Sequence, residues 1–276
     1  TVRMNPGYAN PDLKGPAGPS DPDITVLAVS RADGSPLCIY ANYSLHYVGG
    51  VQGLSADYFG AFANALSKKF KIKGQTKPFV GILSNGASGD INNLNYALPE
   101  APARKALYEQ IIFVANDVAD SVMNAMDGIQ WHDSLSLNSI EREIQLGVRK
   151  PEAHEMERIH RILKDAQEKD LSGWSQPEIY ARESLLLQDF PDKIAAKFQV
   201  IEIGELGIVT LPTETFVDIG LHLKKESPFK KTMVVELANG YNGYLPTPQQ
   251  HQWGGYETWR ARSSYLETKA SDKITL

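Results

Sequence analysis

The period of apolar and polar positions changes several times along the chain, and each change predicts a different element. Ile24 to Ser30 and Leu37 to Tyr43 are β-rich runs on either side of Ala32-Asp33-Gly34-Ser35, a pattern that predicts a hairpin closed at Asp-Gly. From Asp57 to Phe70 the spacing is helical, with Tyr58, Phe59, Phe62, Leu66 and Phe70 on one stripe and Ser55 and Asp57 as caps. Pro78 to Leu83 is a short apolar strand. It runs into Ser84-Asn85-Gly86-Ala87-Ser88-Gly89-Asp90, a glycine-rich loop of the kind that exposes backbone N–H groups. A long amphipathic helix is predicted over Ala103 to Met126.

In the second half, Ser134 to Val148 alternates as a strand with one slip, and Pro151 to Asp170 and Pro177 to Gln188 read as solvent-facing helices opened by proline. Ala195 to Ile203 and Leu206 to Leu211 are strands joined through Gly204-Glu205. Pro212-Thr213-Glu214 is expected to start a helix that carries Phe216, Val217, Ile219, Leu221 and Leu223. Thr232 to Ala238 is another strand and ends in an aromatic, turn-rich segment, Asn239 to Pro248. Before the first strand, residues 5 to 23 hold five prolines and three glycines, which predicts an extended connector laid over a surface. Strands mixed with helices in this order imply an α/β (mixed α+β) fold without a steady βαβ rhythm.

Composition narrows the function. The chain has 276 residues, 42% hydrophobic and 22% charged, with a formal net charge of −5, enough for one large core or two smaller ones. The acidic balance leaves no basic footprint for nucleic acid. No run reaches the ~20 apolar residues that cross a bilayer. Cys38 has no partner for an internal disulfide, and its apolar surroundings predict a small buried hydrophobe. The opening, Thr1-Val2-Arg3-Met4, has neither an initiator methionine nor a signal-peptide pattern, so a processed or truncated product is expected.

Few residues suggest chemistry on their own. His46 follows a strand directly and precedes Gly49-Gly50, a place from which a side chain reaches a cleft, although an isolated histidine there is more often a hydrogen-bonded residue at the core edge. Glu214, at a strand-to-helix junction, reads equally well as an ordinary first-turn glutamate. The Ser84 to Asp90 loop suits anion cradling, oxyanion stabilisation or a serine nucleophile. It lacks the nucleotide P-loop ending, the dinucleotide fingerprint and the Gly-x-Ser-x-Gly elbow, and a plain structural loop is as good a reading. His154 and His160 are six apart on a predicted helix, a spacing that does not share a face, and His132, His222 and His251 are isolated.

Order along the chain says more. Asn5-Pro6-Gly7, Gly15-Pro16-Ala17-Gly18-Pro19 with Asp21-Pro22, and Ser44-Leu45-His46 are followed by Leu54-Ser55-Ala56-Asp57-Tyr58 and by Ser84-Asn85 with Gly89-Asp90. Then come Leu211-Pro212-Thr213-Glu214, Ala238-Asn239-Gly240-Tyr241-Asn242-Gly243-Tyr244 and Tyr256-Glu257. In this order the segments resemble the catalytic domain of the neutral/alkaline non-lysosomal ceramidase family, from the first residues to at least Tyr256.

That resemblance implies mixed β-sheets flanked by helices and a single catalytic-domain fragment over 1–276, within which the two proline-opened helices read as a helical insertion at about 151–190. It implies a zinc ion held by His46, Glu214 and Tyr244, with a further histidine expected upstream of Thr1 in a His-x-His-type segment. Tyr256 would hydrogen-bond the reacting oxygen beside the zinc. Ser84 and Asp90 join Tyr256 as candidate catalytic side chains, and Asn85, Gly86 and Ser88 are candidate substrate contacts. The implied activity is hydrolysis of an N-acyl amide, ceramide or a related lipid or sugar amide, by a metal-activated water, giving an amine and a fatty acid.

A lipid or amide substrate, contact with a membrane periphery, a role in sphingolipid metabolism and a secreted or periplasmic location belong to the same expectation. Two departures stand out. Gly86 occupies the place of the family's characteristic serine, and Ile91-Asn92-Asn93 follows Gly89-Asp90 where the family has Ser-Pro-Asn. The competing readings are a serine hydrolase using Ser84 or Ser88 with His46, and a non-catalytic homologue that binds a lipid or glycan.

Overall fold

The computed structural model describes residues 1–72, 74, 76–166 and 169–275. The hairpin forms as β1 (Thr25–Ser30) and β2 (Pro36–Tyr43), antiparallel, with Leu27 opposite Tyr40. Helix α1 (Asp57–Ile72) then crosses over to β3 (Val80–Asn85), which lies parallel to β2. Side chains alternate across a strand, so β2 supplies two interiors. Ile39 and Ala41 face α1 and α2 (Glu109–Met126) in one core with Tyr58, Phe62, Leu66, Val118 and Val122. Tyr40 and Leu27 face the other way and pack with Leu206, Ile208 and Met233 of a second sheet.

That second sheet is built from β4 (Leu137–Gly147), β5 (Lys193–Ile203), β6 (Leu206–Thr210) and β8 (Lys231–Val235), in that spatial order, with β6 and β8 parallel. Between β4 and β5 the chain makes α3 (Ala153–Ala166) and α4 (Gln176–Leu186), which pack on each other. Ser175 caps α4 in a reciprocal capping box with Glu178. Pro177 is its second helical residue, and Pro151 stands before α3 rather than in it. Of the helix expected over 151–170, residues 167 and 168 lie outside the described ones. The remaining elements are β7 (Glu214–Thr215), α5 (Val217–Glu226), β9 (Tyr244–Leu245), α6 (Pro248–Trp253) and α7 (Ala270–Ile274), and β7 and β9 form a two-stranded parallel ribbon.

The mixed α/β architecture agrees with the sequence reading, and three local expectations need correction. The helix expected from Ala103 starts only at Glu109, because Tyr108 takes a left-handed φ of 65° and the Glu109 carboxylate accepts the Ala106 N–H at 2.7 Å, closing the turn ahead of the helix. No helix starts at Pro212. Glu214 and Thr215 are drawn into β7, and α5 begins at Val217, whose N–H donates to Asp90 Oδ1 at 2.7 Å. Cys38 is half-buried rather than buried.

The proline-rich connector has no regular structure, and residues 11 to 20 are all exposed. It is anchored at Asp21, which is 4% exposed, accepts from Lys224 Nζ of α5 at 2.6 Å and from Ser44 Oγ at 3.2 Å.

Candidate active site

Four chain segments meet here, carrying His46, Glu214, Tyr244 and Tyr256. His46 lies just beyond β2. The residue before it, Leu45, accepts the Tyr58 hydroxyl at 2.8 Å through its carbonyl, and the two amides after Tyr47, on Val48 and Gly49, donate to the Asp57 carboxylate at 2.9 and 2.8 Å. The Asp57-Tyr58 motif therefore opens α1 and also fixes the backbone around His46. The imidazole Nδ1 meets the Tyr47 carbonyl at 3.2 Å, which turns Nε2 toward Glu214 Oε1 at 3.5 Å. The bond to Glu214 pushes the His46 pKa up from its ordinary value, against the opposing effect of burial.

Glu214 and Tyr244 are register partners in the β7–β9 ribbon, and the Glu214 N–H donates to Gly243 O at 2.9 Å. The Tyr244 hydroxyl lies 3.3 Å from the Tyr256 hydroxyl. Burial, with Tyr256 and Glu214 alongside, drives the Tyr244 phenol far above its usual range. Gly243 has φ 73°, and a Cβ there would lie 2.5 Å from Ser263 O, so only glycine lets the strand pass.

Tyr256 sits in a one-turn 3-10 segment held by Arg149, which donates to Thr258 O at 2.8 Å and Ser264 O at 2.7 Å. Tyr256 is 37% exposed while Tyr244 is 9% exposed, so Tyr256 is the one of the pair open to a ligand.

The Ser84 to Asp90 loop lies directly behind these residues, and most of its polar side chains are engaged within the protein. Ser84 Oγ accepts from Tyr40 and Asn42 at 2.8 and 2.9 Å. Asn85 Nδ2 and Ser88 Oγ both donate to Glu236 Oε1 at 2.7 Å. Asp90 caps α5, and burial raises its pKa to about 6. A Cβ on Gly86 would stand 2.3 Å from the Ser44 hydroxyl and 3.1 Å from the Ser44 backbone, so a serine there would require Ser44 to shift. A Cβ on Gly89 would stand 2.8 Å from the Glu214 carbonyl. The loop thus abuts the backbone of Ser44 and of Glu214, the first two residues before His46 and the second one of its partners.

Sequence reasoning missed Glu236. It is 4% exposed at the end of β8, where burial lifts its pKa to about 8, and the only signal was a lone carboxylate closing an apolar strand. Among the described residues, no hydrogen bond joins His46 to Ser84 or Ser88. His132, His154, His160 and His222 are exposed, and His251 is half-buried with its pKa lowered to about 4 by burial and the Arg149 charge.

The donor types suit a zinc ion: an imidazole nitrogen and a carboxylate oxygen face each other, and a phenol stands beside the carboxylate in the ribbon. Two ligands each about 2.1 Å from a tetrahedral zinc stand about 3.4 Å from each other. The His46–Glu214 separation of 3.5 Å matches that spacing. Among the described residues, no third His, Cys, Asp or Glu completes a metal-holding group with them. The fit is therefore to three ligands, one of them a tyrosine.

The α/β scaffold of these mixed sheets and flanking helices is a fold seen before in solved structures. It is the fold of neutral ceramidase from Pseudomonas aeruginosa, at a TM-score of 0.66 and 16% identity over 97% of this chain and 47% of that one. A ceramidase complexed with C2 gives the same TM-score of 0.66 and 16% identity, over 97% of this chain and 48% of that one. The chain thus spans about half the length of the solved structures it matches. No family model and no curated protein matches it.

Proposed function

We propose that this chain carries the catalytic core of a zinc-dependent amide hydrolase that cleaves an N-acyl lipid or a related amide. The observation that carries the reading is the gathering of His46 Nε2 at 3.5 Å from Glu214, of Glu214 and Tyr244 as register partners in one ribbon, and of the Tyr244 and Tyr256 hydroxyls at 3.3 Å. His46, Glu214 and Tyr244 hold the metal. When bound, zinc supplies Lewis acidity and lowers the pKa of a coordinated water toward neutrality.

The protein groups supply the rest. The Tyr47 carbonyl fixes the His46 tautomer so that Nε2 is the free donor. The Tyr256 hydroxyl, more exposed than Tyr244, donates a hydrogen bond to the amide oxygen as negative charge develops on it. Ser84, Asn85, Gly86, Ser88 and Asp90 act in this reading as the frame behind the site, because their contacts are made within the protein. An open cleft of about 820 Å³, lined by Val48, Val51, Leu94, Leu98 and Ile111 among others, runs beside the segment that follows His46 and is the place for the acyl chain.

A substrate of this kind also accounts for exposed Leu94, Leu98, Leu107 and Tyr108 at the cleft, which suit contact with a membrane periphery and a secreted or periplasmic protein. No helix among the described residues is long and apolar enough to cross a membrane.

The serine-hydrolase reading has no support in the geometry, since Ser88 Oγ bonds a buried carboxylate rather than an imidazole. A lipid-binding protein without catalysis is the other reading, favoured by the three-ligand site. Metal content by mass spectrometry, with hydrolysis of a fluorogenic N-acyl substrate before and after chelation, separates the two. About one zinc per chain, lost with activity in His46→Ala and Glu214→Ala, supports the hydrolase. Zinc without turnover favours the binding protein, and no zinc removes the metal centre altogether.

A further inference from the structure

We propose that Glu236 is the positioning residue that locks the Glu214 strand to the His46 side of the site. Its carboxylate, 4% exposed, accepts from Asn85 Nδ2 and Ser88 Oγ at 2.7 Å on Oε1, and from Ser88 N–H at 3.2 Å and Thr215 N–H at 2.7 Å on Oε2. Four donor groups meet the two oxygens of one carboxyl group. They come from two separate parts of the fold: Asn85 ends the strand that pairs with β2 and Ser88 lies in the loop after it, while Thr215 adjoins Glu214.

The pairing is direct, since Asn85 is the register partner of Tyr43, three residues before His46. A second bond runs parallel to the first, from the Glu236 N–H to Asn85 O at 3.2 Å. Two further features show what the arrangement sacrifices. Asn85 Oδ1 is buried without a partner, because the amide turns its nitrogen to Glu236. Leu237, a bulky residue, takes a left-handed φ of 54° directly after Glu236, a conformation that L-residues resist, and its N–H bonds Thr213 O. The chain thus leaves the strand through an unfavourable turn that keeps Glu236 pointed inward and joins the backbone before Glu214.

The proposal rests on the reading of His46 and Glu214 as the site, and its primary test does not need zinc. Amide hydrogen exchange is compared between the wild-type chain and Glu236→Leu, which keeps apolar bulk and offers no acceptor. Exchange at Thr215, Ser88 and Glu214 is expected to rise by roughly tenfold or more, while the amides of α2 keep their wild-type rates. An even rise over the whole molecule, or no change at Thr215, overturns the proposal.

Where the leucine variant does not fold, Glu236→Gln decides. It keeps one acceptor oxygen and gives the same local pattern at smaller amplitude, and unchanged exchange at Thr215 overturns the proposal. Zinc affinity by chelator competition is the second readout, with a loss of about 10- to 100-fold expected in both variants, the range for partners that orient metal ligands. A wild-type chain that takes no zinc removes the metal reading and leaves the exchange comparison to decide the positioning role.

Discussion

Glu214 and Tyr244 are register partners in a parallel ribbon only two residues long, so their side chains leave the same face side by side. The ribbon is held along its length: Tyr244 N–H donates to Ser263 O at 2.8 Å and Phe216 N–H to Leu245 O at 3.2 Å. A glutamate and a tyrosine that lie apart in sequence are thereby fixed side by side. Substitutions at the two tyrosines should then have different effects.

Tyr244→Phe removes a metal donor and is expected to lower zinc affinity. Tyr256→Phe is expected to leave zinc content intact and to cut turnover by about 100- to 1000-fold, the cost of losing one oxyanion donor. Zinc stoichiometry and kcat measured on both variants check the distinction. Equal loss of zinc in both would make Tyr256 a ligand instead.

The His46–Glu214 pair predicts a pH effect on metal uptake. Contact with Glu214 raises the His46 pKa, so in the metal-free protein the pair's stabilisation is complete below about pH 6.5 and is lost as pH rises through the raised value. A metal ligand must be neutral imidazole, so zinc binding near pH 6 should expel a proton and affinity should climb with pH. Calorimetry in two buffers of different ionisation heat measures that proton, and it should vanish in His46→Ala.

Asp90 gives a stability effect of known sign. Burial raises its pKa from 3.8 to about 6, so the folded protein holds that proton more tightly than the unfolded chain. Its contribution is full below the unfolded value and is lost as pH rises through about 6. Urea titrations of wild type and Asp90→Asn between pH 4 and 7 should diverge by about 3 kcal/mol. The asparagine oxygen still caps α5 and does not titrate. Parallel curves would show that Asp90 is not held in this environment.

The Asp21–Lys224 pair is buried, with side chains 2% and 16% exposed. Lys224→Met leaves a carboxylate in the interior with only Ser44 and a backbone amide to satisfy it, and should cost about 3 kcal/mol in urea unfolding. Lys230→Met, which breaks an exposed pair with Glu205, should stay within about 0.5 kcal/mol.

The sequence made local structure legible where local physics decides it. The hairpin around Asp33-Gly34 and the helical stripe from Tyr58 to Phe70 need only turn chemistry and periodicity. The motif around Glu214 was legible as a motif and misread as a helix start, because the strand there exists only through Gly243 and Leu245, far along the chain. Glu236 was invisible for the same reason: its four donors come from the end of β3, the loop after it and β7, none of which the sequence places near it. Ser84 to Asp90 looked like a reactive loop because hydroxyls and glycines have that composition. The structure shows those glycines tolerated for close backbone approach and most of the polar groups already paired.

The β7–β9 ribbon also bears on the order in which the molecule forms. It has no turn of its own to nucleate it, and each strand depends on partners that arrive from distant parts of the chain, so loop closure must be largely complete before the ribbon can assemble. The cluster of His46, Glu214 and Tyr244 is therefore among the last features to mature during folding. A metal ion that needs all three would act as a seal on a finished chain rather than as a template for an unfinished one.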